Sequence, residues 1–333
     1  MVGIKDVARR AGVSIGTVSN VVNRPQVVSA STRARVLSAI EELGYVRDES
    51  ARQLRAGRSR IMALLVLDLG NPFFVDIARG AEETAQDEGL HVITCDSGHQ
   101  AEREVSYLSM LAEQRVRGVL LSPVDTSGAA LETFRRSEIP YVFVDRRVPA
   151  DEASSVSVDD VTGGALAARH LVETGHTEIA FVNGPAILAQ CRDREAGVRS
   201  VLDASAARLS VLETSELDVA SGRDAAARLL GMSPRPTAVF CANDLLALGV
   251  LQGMVAAGVR VPDELAIVGY DDIEFAGAAA VPLTSVRQPA RRLGKAAAEL
   301  LIAETGESER VPERQTVVFE PELVVRASTR LTR

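Results

Sequence analysis

The chain has 333 residues, 46% of them hydrophobic, and a formal net charge of −8. No run of 18 apolar residues occurs, which argues against a membrane-spanning helix. Cys95, Cys191 and Cys241 are widely spaced with no paired motif, so neither a disulfide framework nor a zinc site is implied. The N-terminus lacks the charged-then-apolar order of a secretion signal, and a soluble cytoplasmic chain of more than one domain is expected.

The first predicted elements are short helices. Ile4, Val7, Ala8 and Ala11 recur at helical period, Gly12 permits a tight turn, and Ser14 is placed to cap a second helix with Val18 and Val21 on one face. Two short helices around a glycine turn form a helix-turn-helix, in which the second helix enters the major groove of DNA. Ile15, Gly16, Thr17, Ser19 and Asn20 are then the candidate base readers. A third helix is predicted from a Ser29 cap, with Val36, Leu37, Ile40 and Leu43 as its apolar stripe and Gly44 at its end. Charge agrees: residues 1–60 hold 11 Lys/Arg and 5 Asp/Glu, a net of +6, so the whole-chain −8 leaves −14 on residues 61–333. Positive charge gathered on one segment is the footprint of phosphate contact.

Beyond the head, about 270 residues can bury a large core. Short apolar, β-branched runs at Ile61 to Leu67, His91 to Cys95, Gly118 to Leu121, Tyr141 to Val144, Ile179 to Val182, Ala238 to Cys241 and Ala266 to Val268 read as strands buried on both faces. Helical patterns lie between them at Val75 to Glu88, Val161 to Thr174, Asp218 to Leu230 and Leu245 to Ala257. Such alternation predicts doubly wound α/β structure with parallel sheets.

The opening IKDVARRAGVSIGTVSNVVN, then VSASTRARVLSAIEELGY, SARQLRAG, GPAILAQCRDREAG, FCANDLLALGV and VGYDDIEF together resemble the lactose/galactose repressor family (LacI/GalR) of bacterial transcription factors over essentially the whole chain. The resemblance implies an all-α DNA-binding head over residues 1–48, a hinge over 49–59, and an effector-binding and dimerisation domain over 60–333 of the two-lobed periplasmic-binding-protein type. The first lobe would hold residues 60–160 and 290–319, the second 161–289 and 320–330, with the chain crossing near 160, 289 and 320. It also implies that Asn23, Ser50, Ala51 and Leu54 join the DNA contacts, the hinge becoming helical on operator and Leu54 from each of two subunits prying open a base step in the minor groove. Asn20, Arg47 and Asp48 depart from the Arg, Pro and Asn that family members often carry; Asn suits adenine where Arg suits guanine. With Ile15 and Gly16 offering little hydrogen bonding, much of the specificity is expected in the hinge and in DNA shape.

In open parallel sheets a ligand binds at the carboxyl ends of the strands. Asp145, Asn243, Asp244 and Asp271 follow predicted strands, Asn71 to Phe74 follow the first, and Gln288 lies at a lobe crossing. Carried over by position, the family's effector contacts fall on Phe73, Phe74, Asp145, Arg194, Asn243, Asp271 and Gln288. Carboxylates, a guanidinium and amides around an aromatic face suit a polyhydroxylated effector, so a sugar is expected, with induction favoured over co-repression. Plainer roles are also open: Phe73 and Phe74 as core, Asp272 as a helix cap, Arg194 paired with Glu195 on a solvated helix. His91, His99, His170 and His176 share no metal-ligand spacing, and no cofactor is implied. Two acids such as Asp145 and Asp271 could serve a glycosidase, but no nucleophile elbow or phosphate loop supports an enzyme. An exported sugar-binding protein shares the lobes but would not carry the basic head. The expected partners are operator DNA, a small effector and a second copy of the chain, with apolar faces around Val75 to Ala85 and Val105 to Leu111 as the dimer surface.

Overall fold

A computed structural model of the protein describes residues 2–45, 59–124, 136–306 and 313–330. The chain divides into two compact units, residues 1–58 and 59–333. Among the described residues no helix is long and apolar enough to cross a membrane.

The N-terminal unit holds α1 (Ile4–Ala11), α2 (Ile15–Asn23), a 3-10 turn (Pro25–Val27) and α3 (Ala30–Leu43). Each boundary has a local cause. Gly12 and Gly44 take left-handed backbone at φ 65° and 59°, where a side chain would be strained. Ser14 and Ser29 accept from the amides of Thr17 and Thr32 and so satisfy first-turn donors. Val7, Ala8, Ala11, Val18, Val21, Val36 and Ala39 form the small core. Leu37, expected on the apolar stripe of α3, is instead 51% exposed, because Val36 and Ala39 supply the buried face.

The second unit contains two six-stranded sheets. Its strands are β1 (Ile61–Val66), β2 (His91–Asp96), β3 (Gly118–Leu121), β4 (Tyr141–Val144), β5 (Ser154–Val158), β6 (Glu178–Asn183), β7 (Arg208–Glu213), β8 (Ala238–Cys241), β9 (Ala266–Asp271), β10 (Thr284–Arg287), β11 (Thr316–Phe319) and β12 (Glu322–Val324). Its helices are α4 (Pro72–Asp87), α5 (Ala101–Glu113), α6 (Asp160–Glu173), α7 (Ala189–Leu202), α8 (Val219–Leu230), α9 (Asp244–Ala256), α10 (Glu274–Ala278) and α11 (Ala290–Glu304). One sheet runs β11-β5-β4-β3-β1-β2 and the other β12-β10-β9-β8-β6-β7. The chain therefore passes between sheets three times: after β5, after β10 and between β11 and β12.

Alternation within strands divides each layer. On β1, Met62, Leu64 and Val66 join the cluster containing Ile77 and Leu293, whereas Ala63 and Leu65 turn to Leu108 and Leu111 of α5. Helices pack in pairs through glycine. A Cβ on Gly164 of α6 would lie 2.1 Å from the Arg194 carbonyl oxygen, and one on Gly197 of α7 would lie 2.0 Å from that of Val161. Backbone thus meets backbone. Gly80 with Gly294 joins α4 to α11 in the same way, and Gly222 with Gly249 joins α8 to α9. Gly197→Ala is expected to force α6 and α7 apart at a cost of about 1–3 kcal/mol or more; a wild-type urea midpoint would contradict that.

Several expectations need correction. The sheets are not wholly parallel, since β12 runs antiparallel to β10. The strand at His91 is an edge with mostly exposed side chains, not one buried on both faces. β5, β7, β10, β11 and β12 were not predicted, being serine-rich, exposed or short. Ile77, Ala81 and Ala85 of α4 are buried within the protomer and Gly80 abuts α11, while Val105 and Met110 of α5 are exposed.

Candidate functional site

In the head, Ile15, Gly16, Asn20 and Asn23 are exposed along α2, while Thr17 and Ser19 are half-buried. Thr17 shares a hydrogen bond with the Ser14 hydroxyl at 2.9 Å, and Asn23 donates to the Ser19 carbonyl oxygen at 2.8 Å. These bonds fix two of the proposed readers before any DNA arrives, and leave Ile15 and Asn20 projecting. Ser50, Ala51 and Leu54, together with Arg47 and Asp48, lie outside the described residues.

In the second unit, the carboxyl ends of both sheets face one cleft. Phe73, Phe74, Asp145, Arg194, Asn243 and Asp271 line a single cavity there, with Leu67, Asp68, Asn71, His99, Gln190 and Leu217. Gln288 stands behind this wall and donates from Nε2 to Asp271 Oδ1 at 2.7 Å. The seven expected residues therefore converge, drawn from six segments of chain.

Local backbone explains the convergence. Asn71 caps α4, accepting from the Phe73 amide at 3.0 Å, which seats both aromatic rings at the mouth of the cleft. Phe73 and Phe74 meet edge to face at 5.1 Å and are 3% and 4% exposed, so they serve as core and lining together. Asn243 caps α9 through the Leu246 amide and donates to the Leu217 carbonyl oxygen, so its side chain is already committed. His99, Asp145 and Asp271 adopt φ of 57°, 56° and 101°. Left-handed backbone at three cleft residues costs roughly 1–3 kcal/mol each and concentrates at binding sites.

Arg194 does not pair with Glu195, which instead binds Arg199. Its Nε donates to Asp160 Oδ1 at 2.8 Å, its Nη1 donates to the Ala242 carbonyl oxygen at 2.6 Å, and its guanidinium lies 3.7 Å from the centre of the Tyr270 ring. Tyr270 donates its hydroxyl to the same Asp160 oxygen at 2.7 Å. Asp160 and Tyr270 were not singled out in the sequence; the doublet Asp159-Asp160 was the available signal, one acid capping α6 and the next turning inward. Asp272 is no helix cap: it pairs with Arg287 at 2.8 Å and Arg326 at 2.5 Å, tying β9 to the C-terminal segment.

Buried charge sets the electrostatics. Burial raises Asp145 well above the usual carboxylate range, reinforced by the charge of Asp160 and opposed by Arg194. Burial likewise raises Asp271 to about 6, opposed by Arg194 and by hydrogen bonds from Asn71 and Gln288. Burial works against charge on Arg194 as well, but Asp160, Tyr270, Asp271 and Asp145 together outweigh it and hold the guanidinium charged. Asp145 Oδ1, Gln288 Oε1 and His99 Nδ1 are buried without a hydrogen-bond partner in the structure. Three orphaned polar atoms around one cleft are suited to a polar ligand.

The cleft is narrow. Asn71 of the first lobe donates to Asp271 Oδ2 of the second at 2.9 Å, and the cavity beneath is about 20 Å³. That is room for about one water.

Residues 3–48 match the family described as bacterial regulatory proteins, lacI family, and residues 168–329 match a periplasmic binding protein-like domain. A relative from Vibrio campbellii (strain ATCC BAA-1116), named HTH-type transcriptional repressor PurR, is 37% identical over 98% of this chain and 98% of its own. A solved complex of the transcriptional regulator CelR with cellobiose is 34% identical, covers 98% of this chain and 100% of that one, and superposes with a TM-score of 0.74. The lac repressor dimer bound to operator and the anti-inducer ONPF is 29% identical over 98% of this chain and 99% of that one, with a TM-score of 0.81.

Proposed function

The chain belongs to the LacI family of bacterial regulatory proteins and is a DNA-binding transcriptional repressor, not an enzyme; from that premise we propose that a sugar entering the interlobe cleft controls its hold on operator DNA. The observation that carries the reading is the pair of buried carboxyl groups, Asp145 and Asp271, beside the Arg194 guanidinium and the Phe73 and Phe74 rings in one cavity. Sugar hydroxyls donate to the Asp271 carboxylate, exchange hydrogen bonds with the Asp145 carboxyl and accept from the guanidinium, while a ring face packs on the aromatics. The cellobiose complex of the CelR relative supports the same class.

The protein acts in the cytoplasm as a homodimer. Two heads, each with α2 in a major groove, and two hinges over residues 49–59 engage a pseudo-palindromic operator. The effector binds one arrangement of the lobes better than the other, and a roughly 100-fold preference moves the equilibrium by about 2.7 kcal/mol, enough to empty a marginally occupied operator. Sugar binding induces. Thermal-shift screening of the full chain against mono- and disaccharides and nucleobases, followed by operator release measured by fluorescence anisotropy, tests this. A sugar that both raises the melting temperature and releases the operator is expected; stabilisation by a nucleobase alone would overturn the sugar assignment.

A further inference from the structure

A second pocket opens off the cleft and shares Asp145 and Gln190 with it; Ser122 and Arg146 line it from the first lobe, Ala189 and Arg192 from the second. Three features make it electropositive. The N-terminus of α7 has Leu188 at its cap and no side-chain oxygen on its first amides, as is also true of α5 and α11, whereas Asn71, Asp159, Asp218 and Asn243 cap α4, α6, α8 and α9. Unanswered first-turn amides and the helix dipole attract an anion. Arg146 carries a buried Nε with no hydrogen-bond partner. Arg192 donates from Nη1 to the carbonyl oxygens of Ala186 and Ile187 at 2.5 and 2.8 Å, and among the described residues neither arginine forms an ion pair.

We infer that the effector is an anionic sugar, its phosphate or carboxylate held by Arg146, Arg192 and the first amides of α7 while its ring occupies the cleft. The inference rests on the sugar reading above and narrows it. Asp145 borders the same pocket without cancelling its charge: burial, with the nearby charge of Asp160, drives its carboxyl toward the protonated form, which donates to an anion. Asp193 on α7 is exposed, yet it lies within electrostatic reach of Arg146 and Arg192, so an anionic ligand shares both arginines with it. Guanidinium groups suit either oxyanion because their planar fork offers two parallel donors.

Isothermal titration of the full chain with matched sets decides the matter: glucose, glucose 6-phosphate and glucuronate; ribose and ribose 5-phosphate. In the set that binds, an anionic member is expected to bind at least about tenfold more tightly than its neutral parent, and which one prevails separates phosphate from carboxylate. Arg146→Gln and Arg192→Gln, each checked for a wild-type melting temperature without ligand, should bring that ratio toward one. Neutral sugars bound as tightly as their phosphates and acids would remove the anion pocket and leave the sugar reading standing. An anion preference that survives both substitutions would also overturn it. A nucleobase that stabilises the protein where no sugar or sugar derivative does would remove both readings.

Discussion

Arg194→Ala is expected to destabilise the protein by about 3–5 kcal/mol, because it strands Asp160 as a buried charge without its cation. Asp160 is 8% exposed and would retain the Tyr270 hydroxyl but lose the guanidinium at 2.8 Å. The Ala242 carbonyl oxygen would lose its donor, and the Tyr270 ring its stacked cation. Arg194, expected from the sequence either among the effector contacts or paired with Glu195, thus holds Asp160 and Tyr270 together beneath the cleft it lines. Urea unfolding of Arg194→Ala, Asp160→Asn and the double variant separates the parts. If the stranded charge dominates, the double variant loses less than the two singles summed, since the amide that replaces the Asp160 carboxylate is neutral. An Arg194→Ala midpoint equal to wild type would show that Asp160 finds another partner or a proton.

How much of this was legible follows the physics of each element. Strands buried on both faces, such as Tyr141–Val144 and Ala238–Cys241, appear in the sequence as apolar runs with correct ends. β5 escaped because Ser154, Ser155 and Ser157 are buried in it and read as loop; Ser155 is satisfied by the Val148 carbonyl oxygen, a bond no sequence pattern reveals. β7 escaped as an exposed edge. The strand-end rule pointed to Asp145, Asn243 and Asp271, since doubly wound topology brings those ends together wherever they fall in the chain. It could not reveal Asp160, whose bond to Tyr270 spans 110 positions, or the Asn71–Asp271 bridge, which spans 200. Long-range polar pairing depends on register and lobe closure, and neither leaves a local periodic trace.

Asp271→Asn is expected to weaken effector binding roughly ten- to a hundredfold at pH 8, the cost of losing charge-assisted acceptance from hydroxyl groups. Burial raises the Asp271 carboxyl from an ordinary 3.8 to about 6, so between those values the folded protein holds a proton that the unfolded chain has released. The stability this group contributes is therefore complete below about 3.8 and is lost as pH rises through about 6. Effector affinity slopes the other way. Hydroxyl donors require the ionised carboxylate, so wild-type affinity should fall about tenfold per pH unit once the pH drops below the folded value. Asn71 and Gln288 each donate to a separate oxygen of Asp271, and an amide at this position has only one oxygen to offer them, so the closed bridge loosens as well. Titration of wild type and Asp271→Asn from pH 5 to 8 with the inducing sugar tests the group; the substitution also removes a charge that raises Asp145 and Asp244, so any slope those two carboxyls contribute moves to lower pH in the variant. The variant should lack the slope centred near pH 6. An identical slope in both proteins would place the titration on another carboxyl, and wild-type affinity at pH 8 would remove Asp271 from the effector's contacts.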